Sequence, residues 1–93
     1  MQKKTDSNQK EIVAAFRNAG ATVFHVHMVG HGFPDIIVGY HGKNYLIEIK
    51  DGKKVKSARK LTPDEEIFHS TWRGHVAIVE SVEDVIKIIN FVK

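Results

Sequence analysis

The sequence predicts a single α/β domain spanning residues 1–93. Three observations lead there: apolar residues at helical spacing near both ends, β-branched runs punctuated by glycine between them, and a Thr-Pro helix start in the second half. Ninety-three residues suit one core with a limited ratio of buried to exposed surface, so stability can lean on a partner subunit. The apolar, charged and aromatic fractions are those of a folded chain, with no disordered tract and no internal repeat.

The elements follow in the order α-β-β-β-α-β-α. Asp6 or Ser7 is placed to cap a helix through NQKEIVAAFRNAG, where Ile12, Val13, Phe16 and Ala19 share a face and Gly20 ends it. ATVFHVHM (21–28) reads as a strand ending near Val29, followed by the glycine-rich loop VGHGFP. DIIVGY and YLIEIK, joined across the turn signal HGKN, form a hairpin. Thr62 then caps a second helix with Pro63 at its first position and Asp64, Glu65 and Glu66 in its first turn, where the helix dipole favours acids. HVAIVE is the fourth strand. Ser81, with Asp84 three residues on, starts the last helix, whose stripe of Val82, Val85, Ile86, Ile89 and Val92 is widened by Ile88 and Phe91. Such a wide apolar face is expected to lie deep between sheet and first helix, or to be covered in part by a second subunit.

The absence of cysteine excludes disulfides, thiolate metal sites and a cysteine nucleophile. No run approaches the length of a membrane span and no apolar leader follows the basic N-terminus, so neither export nor membrane insertion is expected. A cytoplasmic setting follows as the default. The net charge of +3 is concentrated in DGKKVKSARK, where Lys53, Lys54, Lys56, Arg59 and Lys60 stand against Asp51. That segment suits a polyanion, or serves as a solvated loop.

The charges of the hairpin carry the chemistry. Glu48 and Lys50 share one face of their strand and Tyr45, Ile47 and Ile49 the other. Pairing with DIIVGY brings Asp35 near them. Two carboxylates so placed call for a cation, and hard oxygen donors suit Mg²⁺ or Mn²⁺, with the Ile49 carbonyl completing the set. The alternative is a surface ion pair on an exposed strand with Asp35 as an ordinary loop acid. His25 and His27 would share a strand face, at a spacing suited to zinc, but lack a third ligand and are expected to be structural or groove-lining. His31, in the glycine loop before Asp35, is placed to meet a phosphate, though on its own merits it reads first as a solvated loop histidine. Gly32 and Pro34 set the entry to Asp35, by plain turn chemistry or by admitting a DNA backbone. Trp72 is expected in the core rather than as a base-stacking platform.

The segments NQKEIVAAFRNAGATV, GHGFPDIIVGYHGKNYLIEIKDG and RKLTPDEEIFHSTWRGHVAIVESVEDVI together resemble the PD-(D/E)XK nuclease superfamily, and within it the small virus-type replication-repair (VRR-NUC) nucleases. The resemblance implies a restriction-endonuclease-like core, with a mixed four-stranded sheet flanked by helices. It further implies an Mg²⁺- or Mn²⁺-dependent endonuclease in which Asp35 and Glu48 bind metal, Lys50 is the catalytic lysine and Glu11 supports the metal shell. It also implies a stand-alone, phage-type homodimer that cleaves branched DNA or Holliday junctions, working in the host cytoplasm. Glu65 departs from the family, which usually has glutamine there near the site; a carboxylate in its place would add a metal ligand, or repel the phosphate and reduce activity. A non-catalytic DNA-binding module and a restriction-like enzyme that cuts one short sequence are the other readings.

Overall fold

The computed structural model describes residues 7–91, so Asp6 as a cap and Val92 in the last apolar stripe lie outside the described residues. Three helices and four strands follow the expected order: α1 (Gln9–Asn18), β1 (Thr22–His25), β2 (Ile36–Tyr40), β3 (Lys43–Ile49), α2 (Pro63–Thr71), β4 (Val76–Val79) and α3 (Val82–Phe91). The strands form one mixed sheet in the order β1-β2-β3-β4. The pairs β1/β2 and β2/β3 are antiparallel, and β3/β4 is parallel. Among the described residues no helix is long and apolar enough to cross a membrane.

The hairpin forms where expected. His41 and Gly42 both take positive φ, 50° and 79°, so the tight turn matches the twist of its strands and sets Ile36 opposite Ile47. One sheet face then presents Ile36, Val38, Tyr40, Tyr45, Ile47, Ile49 and Val79, which close over Ile12, Val13 and Phe16 of α1 and Val85 and Ile89 of α3. The first-helix stripe stops at Phe16, since Ala19 is exposed as the C-cap residue. On α3 the two sequence expectations divide: Val85 and Ile89 are buried, whereas Ile86 and Phe91 remain exposed.

Two local expectations are corrected. The first strand stops at His25, because Val26 leaves the extended region (ψ 14°) and His27–Val29 form a single 3₁₀ turn. That turn ends the side-chain alternation, so His25 and His27 do not share a strand face; their rings meet edge-on at 6.4 Å. At the start of α1 the N-cap is Asn8 and makes no side-chain cap bond, and Ser7 instead donates to Asp51 Oδ2 at 3.0 Å. The Asn8 amide donates to the carbonyls of Lys50 and Glu80, tying α1 to the outgoing ends of β3 and β4. Tertiary partners here take the side chains that a free helix would use as caps.

Phe16 is fully buried at the centre of this layer. Phe16→Ala is expected to destabilise the protein by about 3–5 kcal/mol, measured as the loss of unfolding free energy in urea.

Candidate active site

Asp35 enters β2 behind the buried Pro34 and is itself 2% exposed. Its N–H donates to the Ile47 carbonyl at 3.0 Å, and its own carbonyl accepts the Val26 N–H at 2.9 Å. Beyond that point the side chain continues the ladder: Oδ2 accepts the Ile49 N–H at 2.8 Å. N–H and C=O of one strand residue point to the same side, so the Ile49 carbonyl also faces the Asp35 side of β3. Asp35, Glu48, Lys50 and the Ile49 carbonyl therefore gather at one end of the β2/β3 pair.

Glu48 is 1% exposed, which overturns the reading of Glu48 and Lys50 as a surface ion pair. The ammonium of Lys50 lies 3.6 Å from Glu48 Oε2 and donates to Glu65 Oε1 at 2.9 Å. Glu65, 3% exposed, has a second duty. Its Oε1 also accepts the Thr62 N–H at 2.9 Å, and its own N–H donates to Thr62 Oγ1 at 3.2 Å, a reciprocal capping box. The lysine is thus held between two buried carboxylates, one from its own strand and one from the first turn of α2. Taking such charges out of water costs several kcal/mol per ion, and mutual pairing with hydrogen bonds is what offsets it. Sequence reasoning missed the Lys50–Glu65 contact. The spacing Thr62-x-x-Glu65 before a helix was the available signal for the cap, but nothing local points the same carboxylate at Lys50.

The glycine loop reaches the site differently from the expectation of DNA approach. Gly32 has φ +81°, and a Cβ built there would stand 2.3 Å from the Asp64 carbonyl oxygen. The chain that passes close to Gly32 is the first turn of α2, and Phe33 packs edge-on against Phe68 of the same helix at 5.2 Å. His31 is exposed in this loop with φ 56°.

Glu11 lies on a different surface. It is exposed and lines a groove of about 540 Å³ shared with Asn8, Asp51, Lys53, Glu80 and Glu83. Two residues earlier, Gln9 is buried and its amide Nε2 lies 3.3 Å from His25 Nδ1. Among the described residues no three His, Asp or Glu side chains come together as a group able to hold a metal ion. Asp35 and Glu48 stand as a pair with the Ile49 carbonyl beside them.

In the basic segment Lys53, Lys54, Lys56 and Lys60 are exposed. Arg59 is engaged inside the protein: its Nε donates to the Lys54 carbonyl at 2.8 Å and its Nη1 to Glu80 Oε2 at 3.1 Å. The other end of the loop is held by Asp51, whose Oδ1 accepts the Lys53 N–H at 3.0 Å. That backbone bond, then the Ser7 hydroxyl, hold the Asp51 carboxyl below the ordinary aspartate value; the charges of Lys54 and Lys53 add to this and desolvation opposes it.

Compared with models of protein families, with curated proteins and with solved structures, the chain matches none. The functional reading therefore rests on the residues and their geometry.

Because the native Asp51 carboxyl binds its proton less readily than in the unfolded chain, its contribution to stability is present above the unfolded value and is lost as the pH falls through the native one. The advantage of the wild type over Asp51→Asn in urea unfolding is expected to be full above about pH 5 and to shrink once the pH drops below about 3.9. An advantage that grows toward acid would contradict the assignment.

Proposed function

We propose that the protein is an Mg²⁺- or Mn²⁺-dependent DNA endonuclease of the PD-(D/E)XK type, with a restriction-endonuclease-like core and a VRR-NUC-like site. The observation that carries this reading is the shared position of Asp35, Glu48 and Lys50 at one end of β2/β3, with both acids buried and the Asp35 carboxylate bonded to Ile49 N–H. An ordinary surface hairpin has no reason to bury such a set. The αβββαβ order, with three antiparallel-linked strands and a parallel fourth, supports the fold assignment.

The donor set fits a hard divalent cation. Asp35, Glu48 and the Ile49 carbonyl are hard oxygen donors of the kind that suits Mg²⁺ or Mn²⁺, while Lys50 offsets the charge of Glu48 and Glu65. Asp35, Glu48 and the Ile49 carbonyl would hold the ion. When bound, it supplies a water of lowered pKa and positive charge beside a phosphoryl oxygen. Lys50 neutralises the negative charge that develops on the phosphate, and its hold on Glu48 and Glu65 fixes where that charge is met. Lys53, Lys54, Lys56 and Lys60 contact the flanking backbone, and His31 meets a phosphate from the glycine loop. Glu11 supports the site only if α1 brings it round from its groove. Selection by DNA shape, as at branches or four-way junctions, is the expected mode. A symmetric dimer covering Ile86 and Phe91 would present two such sites for paired incisions.

The Lys50–Glu65 bond favours a second reading, a DNA-binding module without catalysis, because a lysine held at 2.9 Å by a carboxylate is less available to a phosphate. Cleavage of duplex, flap, splayed-arm and four-way junction DNA separates the two. The wild type is expected to cut with Mg²⁺ or Mn²⁺ and not with EDTA, and Lys50→Ala and Glu48→Gln to cut at least about 100-fold more slowly while still binding. Binding by all three proteins with no cutting by any would leave the module and remove the nuclease.

A further inference from the structure

Trp72 departs from its expected place in the core: it is 45% exposed at the C-terminus of α2. Its indole is nonetheless firmly set. One ring face stacks on Phe68 at 5.1 Å and 16°, and Phe68 is in turn braced by Phe33. A Cβ built on Gly74 would stand 2.8 Å from Nε1 and 3.6 Å from both Cδ1 and Cε2, which places Gly74 close beside the indole nitrogen. Phe68 covers one face of the indole, so the exposure belongs to the rest of the residue.

An aromatic surface held this way is pre-ordered for a planar partner. Its surroundings say which kind. From residue 67 to residue 79 the chain contains no acid, and exposed Arg73 directly follows the indole, with His69 and His75 in the same stretch. Glu65, in the first turn of the same helix, stands at the Lys50 site, and the helical rise from there to the C-cap places Trp72 about 10 Å along the axis. A positively flanked aromatic face one or two nucleotides from a phosphate-directed site matches the stacking platforms that take single-stranded nucleic acid.

We propose that the outer face of Trp72 stacks an unpaired DNA base next to the candidate hydrolytic site, with Arg73 contacting the adjoining phosphate, so that the substrate class is DNA carrying a single-stranded segment. Base pairs inside a duplex keep their faces within the stack and cannot use this surface; only the two end pairs present one. The inference rests on the reading of the protein as one that acts on DNA. It deepens that reading from shape selection in general to recognition of an unstacked nucleotide.

Trp72 is the sole tryptophan, so its emission reports the contact directly. The wild type is titrated in EDTA with a short oligothymidylate and, separately, with a blunt duplex of equal length. The single strand is expected to quench the emission strongly and the duplex weakly. By anisotropy of a labelled strand, Trp72→Ala is expected to bind the oligothymidylate about 5- to 100-fold more weakly, and Trp72→Phe within about threefold of the wild type. Circular dichroism confirms that the variants are folded, and the quenching arm needs no variant. Equal quenching by duplex, or wild-type affinity in a folded Trp72→Ala, overturns the proposal. So does a blue shift with protein concentration alone, which would mean that a second copy covers the indole. Absent cleavage with intact quenching would strike the nuclease reading alone, and intact cleavage without quenching would strike only the stacking platform.

Discussion

Where β2 begins, its backbone can no longer pair with β3, and the Ile49 N–H would be left without an acceptor in a buried strand. The Asp35 carboxylate takes that place at 2.8 Å. An unmet buried N–H costs about 1–3 kcal/mol, so the bond matters to the fold before any chemistry is considered. It also dictates the site, because Asp35 cannot swing away from Ile49 without breaking the ladder. Glu48 and Lys50 follow from the same register, one residue either side of Ile49. The acid that would touch a metal is thus one whose orientation the sheet already requires.

Around that bond the two sheet faces have different work. The α1/α3 face holds the continuous apolar core, with Ile47, Ile49 and Phe16 fully buried. The α2 face buries charge: Glu48, Lys50 and Glu65 meet there, and the helix that brings Glu65 exposes Ile67 and much of Trp72. A helix with so little apolar burial depends on other ties. The capping box at Thr62, the close passage of Asp64 over Gly32, and the Phe33–Phe68 contact supply them, and all three lie on or beside the loop that leads into Asp35. Displacing α2 would disturb the lysine and the entry to Asp35 together.

Legibility in the sequence tracks how local each feature is. The His41-Gly42 hairpin, the Thr62-Pro63 start and the Asp35/Glu48/Lys50 grouping could be read because turn chemistry, capping and strand alternation act over a few residues. The early end of β1 could not, because Val26 and Val29 are good strand residues and only the path to Gly30 turns them. Ser7 was misread for the same reason: its hydroxyl is taken by Asp51, forty-four positions away. The face of α1 was partly readable. Gln9 lies three and four residues before Ile12 and Val13 and shares their buried side, whereas Glu11 does not, so helical spacing alone favoured Gln9 as the inward polar group. Trp72 is half-exposed against Phe68, and no local pattern encodes that.

The basic loop between β3 and α2 is tied down at both ends, by Asp51 under the Lys53 N–H and by Arg59 clamped to Lys54 and Glu80. Arginine, the residue best shaped for phosphate, is spent on this clamp, and the simpler lysines are left facing outward. A free loop would surrender backbone entropy each time it closed on a polyanion. Here that loss is incurred once, on folding, so the exposed lysines sit on a backbone already held at both ends and would offer a polyanion charges at a set spacing.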